Sequence, residues 1–269
     1  MKKQGAIYTD VDGTLIFIEE MHGIQKLQDL DADLAIAVDL TGKTHHTYRS
    51  VTRTTIGYLS TETRQLCNEL REKYDIVAVT GAPLSSFQAR KIDFCDIVVI
   101  ETGGGIIENG VRDSKWDAYL NDGLVTLRQF EAKLKAQGWA IDTVDRNVSL
   151  RVRQKQNQDR NVNELEKLVL PEDLHMTHNL GHVDFLLKKA TKGSAVEYLT
   201  KKKGHPLNST FGIGDDINDI DFLRRTGHAF VLQSGMAEIL DEAKKQGWYI
   251  SKSKYFDGIN EILKTIRMH

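Results

Sequence analysis

Proline and cysteine are what this chain has least of. Three prolines in 269 residues fall well below a usual share of about 5%, so no Pro-rich linker exists and any two domains are joined tightly. Pro83, Pro171 and Pro206 each read as element boundaries. Two cysteines, Cys67 and Cys95, are too few for a disulfide framework or for a zinc site by themselves; they read as reduced core thiols. No apolar run approaches about 18 residues, which excludes a membrane-spanning helix. The start, Met1-Lys2-Lys3-Gln4-Gly5, enters a short strand-like run and not the apolar core of a signal peptide. Charge of one sign is also missing: 36 basic residues face 38 acidic ones, net −2, so no basic field argues for nucleic acid. There is no internal repeat and no low-complexity segment. The expectation is a cytoplasmic protein that binds neither nucleic acid nor membrane. Oligomeric state leaves no mark in the composition.

What is present is an ordinary globular content, 40% hydrophobic and 28% charged. That is enough apolar surface to offset the ordering entropy that keeps poorer chains disordered. The length corresponds to about 1.8 domains. Short apolar runs end at polar turns: Ala6-Ile7-Tyr8-Thr9 at Asp10, Ile76-Val77-Ala78-Val79 at Thr80, Ile97-Val98-Val99-Ile100 at Glu101, Ser209-Thr210-Phe211-Gly212-Ile213 at Gly214-Asp215, and Ala229-Phe230-Val231-Leu232 at Gln233. Runs of four or five such residues suit buried parallel strands. Helical patterns separate them. Ser60 is placed to cap a helix bearing Leu66, Cys67, Leu70 and Tyr74. Another spans Ser194 to Lys203, and a last one carries Phe256, Ile259, Ile262, Leu263 and Ile266. This alternation predicts a doubly wound α/β domain with a parallel sheet.

The middle breaks the alternation. Trp116, Leu120, Leu124, Leu127 and Leu134 recur at helical spacing. Trp139 to Val144 and Val148 to Val152 read as strands split by a hairpin signal, Asp145-Arg146-Asn147. A helix with Val162, Leu165 and Leu168 and a strand at Val183 to Leu187 follow. This predicts an α+β module, 112–187, inserted between the halves of the sheet domain at 1–111 and 188–269. Residues 16–59 form a second insertion, β-like at Leu34 to Leu40 and Thr47 to Thr55, with Thr41-Gly42-Lys43 as a turn. The stretch 37–44 formally fits a relaxed phosphate-binding loop. A hairpin turn is the better reading, because His45 to Thr52 is poor material for the helix such a loop needs.

The chemistry gathers at two strand ends. The first strand runs into Asp10-Val11-Asp12-Gly13-Thr14, and the fourth into Gly214-Asp215-Asp216-Ile217-Asn218-Asp219. Ligands of doubly wound sheets bind outside the carboxyl ends of the strands, so Asp10, Asp12, Thr80, Asp215 and Asp219 should converge. One acidic turn is commonly only solvated; two, both at strand ends, are harder to explain that way. Packed carboxylates repel unless a cation neutralises them, and an all-oxygen donor set suits Mg²⁺. A carboxylate-held Mg²⁺ beside a second carboxylate fits phosphoryl transfer.

Taken in order, Asp10-Val11-Asp12-Gly13-Thr14, Thr80-Gly81, Lys192-Gly193 and Gly214-Asp215-Asp216-Ile217-Asn218-Asp219 resemble the four motifs of the haloacid dehalogenase (HAD) superfamily, over nearly the whole chain. The module between Thr80 and Lys192 resembles its C2-type cap. Val183-Asp184-Phe185-Leu186-Leu187 followed by Lys192-Gly193-Ser194-Ala195 is similar to the Cof-like, sucrose-phosphatase-like branch, subclass IIB. The resemblance implies a Rossmann-like core, an inserted α+β cap, and Mg²⁺-dependent hydrolysis of a small, sugar-like phosphomonoester through an aspartyl-phosphate. Asp10 would be the nucleophile. Asp12 would protonate the leaving alkoxide and then activate water. Thr80 and Gly81 would hold phosphate oxygens, Lys192 would clamp charge, and Asn218 would orient the phosphate or Lys192. Asp215 and Asp219 would hold the metal with the Asp10 carboxylate and the Asp12 carbonyl. Ala82 stands where many of the branch have arginine, and Glu101-Thr102-Gly103-Gly104-Gly105 where an Asn-Gly pair is common. A phosphomutase or phosphotransferase with the same nucleophile, and a binding protein on the same scaffold, are the alternative functions.

Other residues have plainer readings. Lys201-Lys202-Lys203 reads as a solvated helix end, Trp116 as helix core, and His45 and His46 as polar loop residues. In the cap, Arg151, Arg153, His178 and His182 are placed to meet a substrate's hydroxyls or simply to be surface residues.

Overall fold

The computed structural model describes residues 3–26, 34–38, 45–54, 57–142, 147–179 and 181–269. The turns expected at Thr41-Gly42-Lys43 and at Asp145-Arg146, and the side chain of His178, lie outside them. Strand β1 (Gly5–Thr9) leads through α1 (Glu19–His22) into β2 (Ile24–Lys26), β3 (Ala35–Val38), β4 (His45–Tyr48), β5 (Val51–Arg53) and β6 (Tyr58–Ser60). Helix α2 (Thr61–Arg71) returns the chain to β7 (Tyr74–Val79), and α3 (Leu84–Gln88) to β8 (Ile97–Ile100), before β9 (Gly105–Glu108) and β10 (Val111–Arg112) double back. Then come α4 (Ser114–Ala136), β11 (Ser149–Arg153), β12 (Leu174–Asn179) and β13 (His182–Leu187). The chain closes with α5 (Lys192–Lys203), β14 (Thr210–Gly214), α6 (Ile220–Leu223), β15 (His228–Val231), α7 (Ala237–Gln246), β16 (Tyr249–Ile250) and α8 (Tyr255–Arg267).

The large sheet has the order β10-β9-β8-β7-β1-β14-β15-β16. From β8 to β16 every neighbour is parallel, and β9 and β10 add an antiparallel edge. Strand β1 is buried at all of its positions, as a strand covered by helices on both faces must be. One face carries Ile7, Ile76, Val98 and Phe211 into a core shared with Leu66 and Leu70 of α2 and with Ile259, Ile262 and Ile266 of α8. The other carries Tyr8, Val77 and Val99 into a core shared with Ala195 and Leu199 of α5. Cys67 is buried in the first of these cores, and both cysteines are free thiols.

Besides the antiparallel pair β5-β6, two three-stranded sheets stand outside this frame. Strands β2, β3 and β4 form one, in the first insertion. His45 to Tyr48 is therefore strand, and no helix follows the loop-like stretch at 37–44. The second sheet, β11-β13-β12, is antiparallel and lays Val152, Val183, Phe185 and Leu187 against Trp116, Leu120, Leu127 and Phe130 of α4. Its opposite face pairs Arg151 bidentately with Asp184, at 2.6 Å for each contact. Two contacts from the turn between β8 and β9 hold this module to the large sheet. Gly103, at φ +103°, stands so close to the Thr191 backbone that a β-carbon there would meet its carbonyl oxygen at 2.3 Å. The buried Glu101 carboxylate accepts hydrogen bonds from the Asn147 and Val148 backbone N–H groups, at 2.8 and 3.3 Å.

Several expectations change. Tyr74 opens β7, paired with Gly5, and does not continue the helix capped by Ser60; its ring packs edge-on to Phe211. Trp139 to Ile141 are not strand; among the described residues of that run Asp142 alone bridges, to Arg151, and Thr143 and Val144 lie outside them. The segment with Val162 and Leu165 is a six-residue 3₁₀ turn, and Leu168 beyond it is extended. Strand β12 was not expected, because Leu-His-Met-Thr-His-Asn carries few apolar residues; as an edge strand it needs only one well-packed face. Ser60 and Trp116 sit as read, a cap accepting from Thr63 N–H and a buried core ring; Lys201 to Lys203 end a helix closed by Gly204 at φ +68°, but Lys202 and Lys203 pair with Glu108 instead of being simply solvated.

Phe185 has no exposed surface and meets Phe130 at 5.0 Å between ring centroids. Phe185→Ala should cost about 3–5 kcal/mol through the cavity it leaves, read as a lower denaturant midpoint at unchanged slope.

Candidate active site

Asp10 follows β1 directly, and its N–H still donates to Ile213 in β14 at 2.9 Å. The ladder therefore delivers the first acidic loop next to the second. Between them the backbone must turn without a side chain. Gly13 has φ +95°, and a β-carbon there would lie 2.2 Å from Asp215 Oδ2 and 3.0 Å from His22 Nε2, so only glycine fits. Thr14 then donates its hydroxyl to Asp215 Oδ1 at 2.5 Å. The second loop folds on its own acids. Asp219 Oδ2 accepts from the backbone N–H groups of Asp215 and Asp216, both at 3.0 Å, and Asp216 accepts from Asn218 N–H.

Lys192 arrives on the first turn of α5, whose cap is the Thr191 hydroxyl accepting from Ser194 N–H. Its ammonium donates to Asp10 Oδ1 at 2.5 Å and to Asp219 Oδ1 at 2.6 Å. Asp10, Asp215 and Asp219 each offer an oxygen within 4.8 Å of the others, and all three are buried. Burial pushes the Asp10 carboxyl well above the ordinary carboxylate range; the Lys192 charge pulls it back, and Asp219 and Asp215 push it up again. Asp215 is raised by burial and by Asp219, against the Thr14 hydrogen bond. Burial also works against the Lys192 ammonium, but the two carboxylates outweigh it and raise its pKa above the ordinary 10.5. One cation among three dry carboxylates leaves an excess of negative charge. A hard divalent cation with oxygen donors fits that excess.

The remaining expected residues divide. Thr80 is buried at the end of β7, and its hydroxyl oxygen accepts from Ala82 N–H at 3.0 Å. Gly81 is exposed beside it. Asn218 does not reach Lys192: it is exposed, and its amide turns back to Asp216. Asp12 stands outside the triad of carboxylates and is clasped by Arg90, Nε to Oδ1 at 2.7 Å. Arg90 and His22 are the residues that sequence reasoning missed. His22 comes from the first insertion. Its Nδ1 accepts from Ile18 N–H at 2.8 Å, which turns Nε2 towards Gly13. Burial lowers its pKa from the ordinary 6.5. Neither residue stands in a motif, and nothing local marks either one. In the cap, Arg151 and Arg153 are held by Asp184 and Asp142, and His182 lies 3.7 Å from Asp184.

Asp215 holds its proton more tightly in the folded chain than in the unfolded one, where it titrates near 3.8. Its ionisation therefore weakens the metal-free fold as pH rises through the raised folded value, and stability returns as pH falls towards 3.8. Asp215→Asn should raise the metal-free melting temperature at neutral pH, with the gain shrinking as the solution is acidified. A lower melting temperature at neutral pH would contradict this electrostatic account.

Among curated proteins, the chain is 34% identical over 77 residues to a phosphoglycolate phosphatase of Methanobrevibacter smithii, which is 29% of this chain and 31% of that protein. It is 35% identical over 81 residues to an uncharacterized hydrolase of Staphylococcus aureus, 30% of this chain and 28% of that protein. The matched segments thus span less than a third of these relatives' length. Among solved structures, the fold is similar to the sucrose-phosphatase of Synechocystis sp. in complex with sucrose and phosphate, with TM-score 0.61 and 16% identity over 99% of this chain and 98% of that one. It is also similar to a phosphatase of the haloalkanoate enzyme superfamily from Bacteroides thetaiotaomicron, with TM-score 0.64 and 13% identity over 100% and 97%. The family model of haloacid dehalogenase-like hydrolases matches residues 7–263, and with the parallel sheet and its acidic crevice this places the chain in that family.

Proposed function

We propose that the chain is a Mg²⁺-dependent phosphomonoester hydrolase that works through an aspartyl-phosphate on Asp10, with a core at 1–111 and 188–269 and a cap at 112–187. The observation that carries this reading is Asp10 itself: a buried carboxylate 2.5 Å from the Lys192 ammonium and grouped with Asp215 and Asp219 at the carboxyl ends of parallel strands. Asp10, Asp215 and Asp219, with the Asp12 carbonyl, are the donors for the metal, which when bound supplies positive charge against the phosphate oxygens.

The protein's own groups do the rest. Lys192 holds Asp10 in place and offers its charge to the incoming phosphate. Thr80, whose hydroxyl oxygen already accepts from Ala82, keeps its own proton to donate to a phosphate oxygen, and Gly81 leaves room beside it. An Asp10 oxygen attacks phosphorus, the ester P–O bond breaks, and the electron pair leaves on the alkoxide, which takes a proton from Asp12. Asp12 then accepts a proton from water as that water attacks phosphorus. The Asp10–phosphorus bond breaks, releasing inorganic phosphate and restoring both carboxyl groups. A small, sugar-like substrate is proposed because the fold is similar to that of a sucrose-phosphatase. Asn218, exposed in this structure, serves the phosphate only if its loop turns inward.

Asp10→Asn should abolish hydrolysis of an aryl phosphate, a loss of at least about 10³-fold given what such nucleophiles contribute. Chelation with EDTA should do the same, and added Mg²⁺ should reverse it. Undiminished turnover by the Asp10→Asn variant would rule out the mechanism. Transfer of the phosphoryl group to an added sugar in preference to water would favour a phosphotransferase.

A further inference from the structure

Asp12 is held at both carboxylate oxygens by one side chain, Arg90. Arg90 lies just beyond α3, and its side chain is 6% exposed. Its guanidinium spends three donors on two partners. Nε and Nη2 take one oxygen each of Asp12, and Nη1 donates to the Ser86 carbonyl of its own turn. The backbone aims it there: Arg90 N–H donates to Phe87 O at 3.0 Å and Lys91 N–H to Gln88 O at 3.1 Å, and Lys91 is in the left-handed region at φ +52°. A buried guanidinium must be paired; the carboxylate it meets belongs to the acidic loop after β1, 78 residues earlier. Asp12 keeps its other side open, with 24% of its side chain exposed. The pair is thus held through Arg90 and still reachable at Asp12.

We infer that Arg90 is a positioning residue, which locks the Asp12 carboxylate in the one orientation from which it serves the leaving group and then the water. The inference rests on the proposed phosphatase reading. Two-point contact by a planar guanidinium fixes both the place and the plane of a carboxylate. The same side chain must give a proton as the carboxylic acid in one half of the reaction and take one back as the carboxylate in the other; one guanidinium contact per oxygen leaves a second lone pair on each to carry that proton, and the group has to stay in place between the two halves. Small misplacements of such a group cost rate steeply.

The test is steady-state hydrolysis of an aryl phosphate by the full chain with Mg²⁺, for Arg90→Ala, Asp12→Ala and the double variant. Arg90→Ala should lower kcat by about 10²-fold while leaving KM within about threefold, since Arg90 does not touch the phosphate site. The double variant should lose no more than Asp12→Ala alone, because Arg90 acts only through Asp12. Guanidinium ion added to Arg90→Ala should recover part of the lost kcat. If circular dichroism shows that Arg90→Ala is unfolded, Arg90→Lys keeps the charge and stem but not the two-point grip, and should show the same kcat-specific loss and the same non-additivity with Asp12→Ala. Wild-type kcat in the Arg90 variants, or losses that add in the double variant, would overturn the inference while leaving the phosphatase reading intact. A wild-type chain inert towards a broad panel of phosphomonoesters overturns both.

Discussion

The site depends on holding three carboxylates in a dry space around one ammonium. Asp10, Asp215 and Asp219 repel, and Lys192 offsets only part of that repulsion. A fold that keeps such a cluster must have rigid strands to carry it and hydrogen-bond donors to satisfy it. Both are present. Parallel pairing of β1 with β14 sets the two acidic loops at one edge, and the backbone N–H groups of Asp215 and Asp216 turn into the Asp219 carboxylate. The electrostatic cost of the cluster marks function, because core residues of the same volume would be cheaper to bury.

The cap's attachment bears on the same cluster. The returning crossing passes Thr191, which packs on Gly103 in the turn between β8 and β9, and Thr191 is the cap of the helix whose first residue is Lys192. Glu101, in the left-handed region at φ +51°, reaches the start of β11. The segment that joins the cap to the sheet is therefore also the segment that presents the central lysine. The first insertion behaves similarly. Its small sheet leans on α8, with the Tyr255 hydroxyl donating to Val38 O at 3.0 Å, and α1 brings His22 to the mouth above Gly13.

Legibility in the sequence followed how local each signal was. The buried strands were readable because four consecutive apolar positions ending in a polar turn have few other uses. The α4 pattern from Trp116 to Leu134 was readable because its spacing repeats over several turns. Strand β12 was not, since an edge strand packed on one face can carry His175 and Thr177 without penalty. Tyr74 was misplaced because a residue spaced correctly for a helix can equally open the next strand. Trp139 to Ile141 alternate like a strand, but among the described residues of that run only Asp142 makes a strand-like bridge, to Arg151.

The sequence by itself determined which residues build the candidate site. Asp10, Asp12, Thr80, Lys192, Asp215 and Asp219 each sit at a strand end or helix start that its neighbours dictate, and their order along the chain is a property of the chain alone. The tertiary structure decided what those residues are attached to. Arg90 meets Asp12 across 78 residues and Glu101 meets Asn147 across 46, and neither contact has a period, a motif or a composition to betray it. Such pairings exist only once the sheet has closed. The burial that creates a need for them, and chooses one partner among many charges, belongs to the folded molecule and to no segment of its sequence.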